Sequence, residues 1–140
     1  TFMTFEGHNV LFFAYGQTGT GKTHTMLGTD ESLQSSSFHE GWGIFPRTVD
    51  QIFKSLETRA SSGEIQYTLL ASAVEFYLGA VFDLLGDHLP CDLDPLEKQP
   101  VGQIKIHLQN LADLMSFLRQ VQQNRTTRST RMNEAKNRTL

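Results

Sequence analysis

The sequence predicts an α/β fold in which helices flank a sheet, and three observations carry that prediction. Residues 9–15, NVLFFAY, are apolar and aromatic and stop at a glycine, which is typical of a short buried strand. A helix pattern begins near Lys22, and a second strand-like segment follows at residues 65–77. Strand, loop, helix and strand is the order of a βαβ unit, whose strands are parallel and whose crossover is right-handed.

The segment between these two strands divides into a loop and a helix. Residues 28–43 are rich in serine and glycine and lack any apolar period, so they predict a loop. Pro46 suits the first helical position. The apolar residues after it recur at helical spacing and predict one buried face, which comprises Val49, Ile52, Phe53 and Leu56. Residues 61–63 should end this helix.

The second half of the chain predicts further strands and one more loop. Residues 65–77, IQYTLLASAVEFY, predict one long strand, and the apolar run VFDLL at 81–85 continues the buried region. Residues 86–100 contain three prolines and several acids, so they predict a surface loop. Residues 103–108, QIKIHL, alternate between polar and apolar and predict another strand.

A helix is predicted after Asn110, because Asn110 and Asp113 have the spacing of a helix cap. Its apolar face comprises Leu111, Leu114, Met115, Leu118 and Val121. Six of the twelve Lys and Arg residues lie between Arg119 and Leu140. A solvated helix face is the favoured explanation of this basic tail, and a binding patch is the alternative.

Composition limits the class of protein. The length of 140 residues allows at most one domain, and the net charge of −3 does not indicate a nucleic-acid or membrane-surface binder. Cys91 is the single cysteine, so an internal disulfide and a cysteine-based metal site are excluded, which fits a reducing compartment. The apolar run at 10–15 is too short to span a bilayer, and no secretory leader precedes it.

The most specific motif lies at residues 16–23, GQTGTGKT, which match G-x-x-x-x-G-K-[ST] at every fixed position. Its glycines let backbone N–H groups turn inward toward a phosphate, and the helix that follows adds its positive end. Lys22 would supply a charge to the β- and γ-phosphates, and the Thr23 hydroxyl would be a ligand for Mg²⁺. A chance glycine-rich turn is the alternative, which the preceding strand and following helix disfavour.

The residues around this motif resemble those of kinesin motor domains. The segment NVLFFAYGQTGTGKTHTMLG resembles the family form FAYGQTGxGKTxTMxG. GIFPRTVDQIF resembles the segment that resumes the family's second helix after its variable loop, and SAVEFYLGAVFDLL resembles the strand written SxxEIYNExxxDLL. NRTTRSTRMNEA resembles the approach to switch I. The four segments occur in the family's order and cover essentially the whole chain.

The resemblance implies a P-loop NTPase-type sheet with flanking helices, present as an incomplete kinesin motor core over residues 1–140. It further implies ATP as ligand, Mg²⁺ as cofactor, microtubules as partner, and ATP hydrolysis coupled to movement, in the cytoplasm and on the cytoskeleton. The microtubule would be bound through family regions that these residues lack, and neither nucleic acid nor a membrane is expected as a partner.

The same resemblance assigns site residues. Residues 18–23 would line the phosphates, and Thr23 would bind the metal. His24 stands either near the adenine or simply on an exposed helix face. Residues 28–43, with Trp42, correspond to a variable family loop expected at the surface with no assigned partner. The predicted nucleotide-binding residues are Gly16, Gln17, Thr18, Gly19, Thr20, Gly21, Lys22, Thr23 and His24.

Switch I departs from the family pattern NxxSSRSH over residues 133–140. It begins with Asn133, Glu134 and Ala135 and continues with Lys136, Asn137, Arg138, Thr139 and Leu140. Asn137 replaces the serine that reaches Mg²⁺ and the γ-phosphate in the family, and Lys136 adds a positive charge beside the metal. Arg138 is kept. The switch II pattern DxxGSE does not occur in these residues.

The sequence is therefore consistent with two functions. One is an ATP-driven microtubule motor, represented by part of its motor domain. The other is a non-catalytic, kinesin-like pseudo-motor or truncated fragment that at most binds nucleotide. The altered switch I predicts no confident catalytic residue beyond the remnant Asn133, Asn137 and Arg138, and it predicts that this chain alone does not hydrolyse ATP. A different P-loop kinase or GTPase would leave the four family segments unexplained.

Overall fold

The computed structural model describes residues 7–86 and 89–137. Its helices are α1 (Lys22–Met26), α2 (Ile44–Ser61) and α3 (Leu111–Asn137), with a short 3₁₀ helix at Ser32–Gln34. Its strands are β1 (Leu70–Ala71), β2 (Val74–Tyr77), β3 (Ala80–Asp83), β4 (Pro90–Leu93), β5 (Pro100–Val101) and β6 (Ile106–His107). These elements form two compact units, one of residues 7–68 and 109–115 and the other of 69–86, 89–108 and 116–137.

Helix α2 in the first unit forms where the apolar spacing predicts it. Val49 and Phe53 are buried, and Ile52 and Leu56 on the same face are half-buried. The helix begins at Ile44, so Pro46 is its third residue rather than its first. That position still lies in the first turn, where a missing N–H leaves no intrahelical bond unmade. The helix ends at Ser61, as predicted.

The start of α3 confirms the predicted cap. The Asn110 Oδ1 accepts the Asp113 N–H at 3.0 Å, and the Asp113 Oδ2 accepts the Gln109 N–H at 2.9 Å. The Asn110 side chain thus satisfies a backbone donor of the first helical turn, and the Asp113 side chain satisfies one just before the helix. Leu114 and Met115 are buried in the first unit, and Phe117 and Leu118 are buried in the second.

The second unit contains two antiparallel sheets. Strand β1 pairs with β6, and β2, β3, β4 and β5 follow one another in a second sheet. Every strand pair within residues 7–86 and 89–137 is antiparallel, so the predicted parallel βαβ pairing is wrong for this part of the chain. The connection between β2 and β3 consists of Leu78 and Gly79, and such a short link permits only an antiparallel pair.

Three strand predictions also need correction. Residues 9–15 form no strand, and nothing within the described ranges pairs with them. The strand predicted over 65–77 is two short strands, β1 and β2, separated by residues 72–73. The Ala73 carbonyl accepts the Leu84 N–H at 2.9 Å there, in register with the pairing of β2 and β3. The strand predicted over 103–108 is reduced to β6.

The loop predicted over 86–100 contains β4 and the first residue of β5. Both strands begin with a proline, Pro90 and Pro100. Proline is tolerated at the first residue of a strand because its missing N–H interrupts no ladder bond inside the strand. Asp94 closes the connecting turn, since its Oδ1 accepts the N–H groups of Leu96 at 2.8 Å and Glu97 at 2.6 Å. Proline content alone therefore predicted the wrong structure here.

Asp83 joins two segments of the second unit through a buried carboxylate. Its Oδ1 accepts the Leu85 N–H at 2.8 Å, and its Oδ2 accepts the Ile104 N–H at 2.7 Å. The side chain is buried at the end of β3. The two oxygens thus satisfy a buried backbone donor nearby and a partly buried one 21 residues further along the chain. The aspartate of the segment VFDLL is a structural residue.

The isolated 140-residue chain is expected to self-associate in solution. Leu11, Phe13 and Tyr15 are 81, 79 and 96% exposed, and contiguous apolar surface of this kind is uncommon on soluble monomers. Sedimentation velocity should show oligomers or aggregates for the wild type, and the Leu11→Ser/Tyr15→Ser double variant should contain less of them. A monodisperse wild-type monomer with a cooperative thermal transition would contradict this expectation.

Candidate functional site

The glycine-rich loop at residues 16–21 has a backbone that most side chains would prevent. Gly21, immediately before α1, has φ +88°, which lies in the left-handed region that favours glycine. Gly16 has φ +149°, and a Cβ there would lie 2.8 Å from the Thr20 Oγ1. Thr20 itself closes a turn, because its hydroxyl donates to the Gln17 carbonyl at 2.8 Å. The loop is therefore tightly turned, and its glycines leave the backbone uncovered by side chains.

Lys22 crosses this loop. Its Nζ donates to the Gly16 carbonyl at 2.7 Å and to the Gln17 carbonyl at 2.6 Å. An ammonium group has three N–H donors, so one donor remains for another acceptor. The two bonds hold the ammonium against the loop, and Lys22 as a whole is half-buried, which reduces the freedom of its side chain. A positive charge held beside a glycine-rich turn is suited to binding an anion.

Thr23 and His24 follow Lys22 on α1, which has five residues. Both side chains are exposed, so the Thr23 hydroxyl is accessible to a ligand and His24 lies on an open helix face. The Thr25 N–H donates to the Gly21 carbonyl at 2.8 Å, and the Leu27 N–H donates to the Thr23 carbonyl at 2.8 Å. A helix this short has little stability of its own, so its position depends on the segments around it.

A cavity of about 390 Å³ lies beside the loop. It is lined by Phe13, Ala14, Tyr15, Gly16, Thr20, Lys22, Thr25, Met26 and Ile44. The lining combines apolar side chains with two threonines and the lysine. Its volume falls in the range of small-molecule sites. The cavity brings the start of α2, through Ile44, next to the residues of the phosphate-binding motif.

The loop at 28–43 is more ordered than its composition predicts. Trp42 is 3% exposed, so its expected surface position is wrong. The Trp42 indole N–H donates to the buried Ser32 carbonyl at 2.8 Å, and its ring meets the Phe38 ring edge-on with centroids 5.7 Å apart. The 3₁₀ helix at Ser32–Gln34 supplies the accepting carbonyl. An aromatic side chain that has an apolar body and one donor is buried when the donor finds an acceptor.

The structure brings the predicted residues 16–24 together in one loop and the helix that continues it. Asn133 and Asn137, the predicted switch I remnant, lie in the last turns of α3 in the second unit. Arg138, Thr139 and Leu140 lie outside the residues that the structure describes. Within the described ranges no cluster of His, Cys, Asp and Glu has the spacing of a metal site. Thr23, the last residue of the glycine-rich motif, therefore remains the candidate metal ligand.

Two features outside the motif carry less functional weight. No helix within the described residues is long and apolar enough to cross a membrane. Desolvation by burial raises the pKa of the Cys91 thiol, and the negative charge of Asp83 raises this pKa further. A raised pKa reduces the fraction of thiolate at neutral pH, so Cys91 has the properties of a structural cysteine rather than a nucleophile.

Comparison with known proteins decides the family. The model of the kinesin motor domain matches residues 2–139, which is nearly the whole chain. The chain belongs to the kinesin motor domain family. This family consists of nucleotide-binding, microtubule-based motors associated with the cytoskeleton. The resemblance of the four sequence segments is thereby confirmed.

Individual kinesins agree with this assignment. The kinesin heavy chain of Gibberella moniliformis is 36% identical over 137 residues, which are 95% of this chain and 14% of that protein. The human kinesin-like protein KIF1B is 33% identical over 139 residues, which are 96% of this chain and 7% of that protein. The chain thus spans about a seventh or less of the length of these two relatives.

A solved kinesin structure confirms the fold class. The structure described as "Structure of a fast kinesin: Implications for ATPase mechanism and interactions with microtubules" is 34% identical and superposes with a TM-score of 0.70. The superposition covers 86% of this chain and 33% of that chain. The α/β class of an incomplete kinesin motor core therefore holds, although the sheets described within this chain are antiparallel.

Sequence reasoning missed one residue close to the site. Arg47, on the first turn of α2, donates from Nε to the Trp42 carbonyl at 2.8 Å and from a terminal nitrogen to the Glu40 carbonyl at 2.5 Å. Its guanidinium carbon lies 5.1 Å from the centroid of the Phe38 ring. In the sequence, Arg47 is only an arginine that directly follows Pro46 at the end of a long loop. This position indicates the start of a helix and does not indicate a contact between Arg47 and the loop.

Proposed function

We propose that residues 16–23 bind the phosphates of ATP together with Mg²⁺. The observation that carries this proposal is the position of Lys22, whose ammonium is fixed across the loop by the Gly16 and Gln17 carbonyls with one donor left over. A cation held beside the loop favours a polyphosphate over a neutral ligand, because the negative oxygens attract the ammonium and can accept its remaining N–H. His24 is proposed either near the adenine or simply on an exposed helix face.

The residues present fit a magnesium nucleotide. Thr23 would hold Mg²⁺ through its exposed hydroxyl, and the amides of residues 18–23 would hold the phosphate oxygens. Bound Mg²⁺ would neutralise phosphate charge, which is the main requirement of phosphoryl transfer. Lys22 would place its remaining N–H on the β- and γ-phosphates.

We further propose that residues 1–140 form part of a motor domain that couples ATP hydrolysis to movement along microtubules in the cytoplasm. The P-loop at 16–23, the variable loop at 28–43 and the altered switch I at 133–140 are the parts assigned to this chain. The family match over residues 2–139 supports this proposal. Microtubules would be bound through other regions of the family's motor, and neither nucleic acid nor a membrane is proposed as a partner.

One observation favours a second candidate, a kinesin-like chain that binds nucleotide without hydrolysing it. Lys136 and Asn137 replace two serines of switch I. A lysine beside the metal disfavours Mg²⁺ by charge repulsion, and an amide differs from a hydroxyl in reach. Microtubule-stimulated phosphate release by the full chain separates the two. Stimulated release supports the motor, and nucleotide binding without release supports the pseudo-motor.

The nucleotide proposal is tested by competition between nucleotides for the full chain. A fluorescent ATP analogue is bound first and then displaced with ATP, ADP and AMP in the presence of Mg²⁺. Because the loop is proposed to hold the outer phosphates, ATP and ADP should displace the analogue at concentrations about 100-fold lower than AMP. Equal displacement by AMP, or failure of the analogue to bind, would contradict the proposal.

Gly16→Ala should weaken nucleotide binding by about tenfold or more, since the added Cβ would meet the Thr20 Oγ1 and distort the turn. Gly63→Ala is a matched control, because Gly63 also has a positive φ, +77°, but follows α2 outside the loop. The same displacement titration measures both variants. Gly16→Ala with the affinity of the Gly63→Ala control would show that the turn at Gly16 does not determine binding.

A further inference from the structure

The loop at 28–43 is attached to the end of α1 by three consecutive backbone pairings. The Gly43 N–H donates to the Leu27 carbonyl at 3.0 Å, Gly28 and Trp42 form an antiparallel bridge, and the Thr29 N–H donates to the Gly41 carbonyl at 3.1 Å. The last residues of the loop, 41–43, which we call the loop exit, thus run beside residues 27–29. These pairings hold the end of α1 against the loop exit.

The approach is too close for any side chain on the two glycines of this contact. A Cβ on Gly28 would collide with the Gly41 carbonyl oxygen, and a Cβ on Gly43 would lie 2.5 Å from the Met26 carbonyl carbon. Met26 is the last residue of α1. Ile44 begins α2 immediately after Gly43, and both Ile44 and Met26 line the cavity next to Lys22. A displacement of the loop exit would therefore move a wall of the nucleotide site.

Arg47 holds the loop exit in this position. Its two hydrogen bonds reach the carbonyls of Glu40 and Trp42, on either side of Gly41, and its guanidinium covers the Phe38 ring. The planar fork of an arginine suits two carbonyls and an aromatic face at once, which a lysine cannot match. The Trp42 indole bond to Ser32 holds the same stretch from inside the loop.

We infer that Arg47 is a positioning residue for the nucleotide site: it fixes the exit of the 28–43 loop against the end of α1 and thereby sets the position of Lys22 and Thr23. The inference rests on the proposed nucleotide function of residues 16–23. Arg47 itself is not proposed to touch the nucleotide. Its effect passes through residues 41–43 to Leu27 and from there to the five-residue helix, which cannot maintain its position alone.

Two measurements on the full chain test this inference. Arg47→Ala should weaken binding of the fluorescent ATP analogue by about tenfold, the order expected for losing two hydrogen bonds and one cation–π contact. Amide exchange in peptides that cover residues 20–29 and 40–45 should become faster in the same variant. Arg47→Lys should fall between the wild type and Arg47→Ala, because an ammonium replaces one bond but not the fork.

Arg59→Ala is the matched control, since Arg59 lies on the same helix and pairs with Glu64 at 3.4 Å, away from the loop. Trp42→Phe is a second variant that keeps an aromatic ring and removes the indole donor. It should therefore make amide exchange in the loop faster, as Arg47→Ala should. It keeps the inference testable if Arg47→Ala does not fold.

The outcomes separate this inference from the proposed function. If the wild type does not bind the analogue, the nucleotide proposal fails, and exchange in residues 20–29 decides whether Arg47 positions α1. If the wild type binds, and Arg47→Ala and Trp42→Phe match Arg59→Ala in affinity, the inference is overturned. Faster exchange with weaker binding in Arg47→Ala, or in Trp42→Phe where Arg47→Ala does not fold, supports it.

Discussion

Lys22→Ala should weaken nucleotide binding by about 100-fold, which is the largest loss expected from a single change in the proposed site. The substitution removes the charge that faces the β- and γ-phosphates. It also removes the two bonds, to the Gly16 and Gln17 carbonyls, that close the loop. Titration of the full chain with a fluorescent ATP analogue measures the dissociation constant directly.

Lys54→Ala is the control for this change. Lys54 is a second lysine with a fixed partner, the Asp50 carboxylate at 2.6 Å one turn earlier on α2. The Lys54→Ala substitution removes the same charge from a position outside the loop, and it should leave the dissociation constant of the nucleotide within about twofold of the wild-type value. Equal titration curves for Lys22→Ala and the wild type would exclude Lys22 as the phosphate ligand.

Asp83→Ala should lower the free energy of unfolding by about 3 kcal/mol, because it removes two hydrogen bonds to a charged acceptor and leaves one buried and one partly buried donor without a protein partner. The donors are the N–H groups of Leu85 and Ile104. Asp83→Asn keeps one acceptor oxygen and should cost about half as much. Urea unfolding of the full chain, with the slope compared between variants, measures both losses.

The control for the stability series is Asp92→Ala. Asp92 is exposed on β4, where a surface substitution is expected to change stability by less than about 0.5 kcal/mol. An Asp83→Ala variant as stable as Asp92→Ala would mean that water replaces the carboxylate at Leu85 and Ile104. In that case Asp83 would not be the residue that joins these two segments.

The sequence was most informative where local interactions determine structure. The cap at Asn110 and Asp113, the apolar face of α2 and the end of that helix at Ser61 all depend on neighbours within a few residues. The phosphate motif has the same property, because glycine at a fixed spacing determines the backbone of a turn. The cap and the helix were predicted correctly in kind and nearly correctly in position, and phosphate binding by the glycine-rich loop stays a prediction.

Features that depend on distant partners were predicted less well. An apolar run such as residues 9–15 predicts a strand, but a strand also needs neighbours, and none of the described segments pairs with it. Trp42 is buried because a carbonyl ten residues earlier accepts its N–H, which no local pattern encodes. The contacts of Arg47 with the loop have the same origin, so they were visible only in three dimensions.

A crystal structure of the full chain with Mg·ADP would show directly where the nucleotide binds. We expect the outer phosphate on the amides of residues 18–23 and on the Lys22 Nζ, with the metal on the Thr23 hydroxyl. The ammonium should keep at least one of its present bonds to Gly16 and Gln17. Nucleotide bound elsewhere with an unchanged loop, or crystals that bind none at saturating Mg·ADP, would contradict the assignment of residues 16–23 as the nucleotide site.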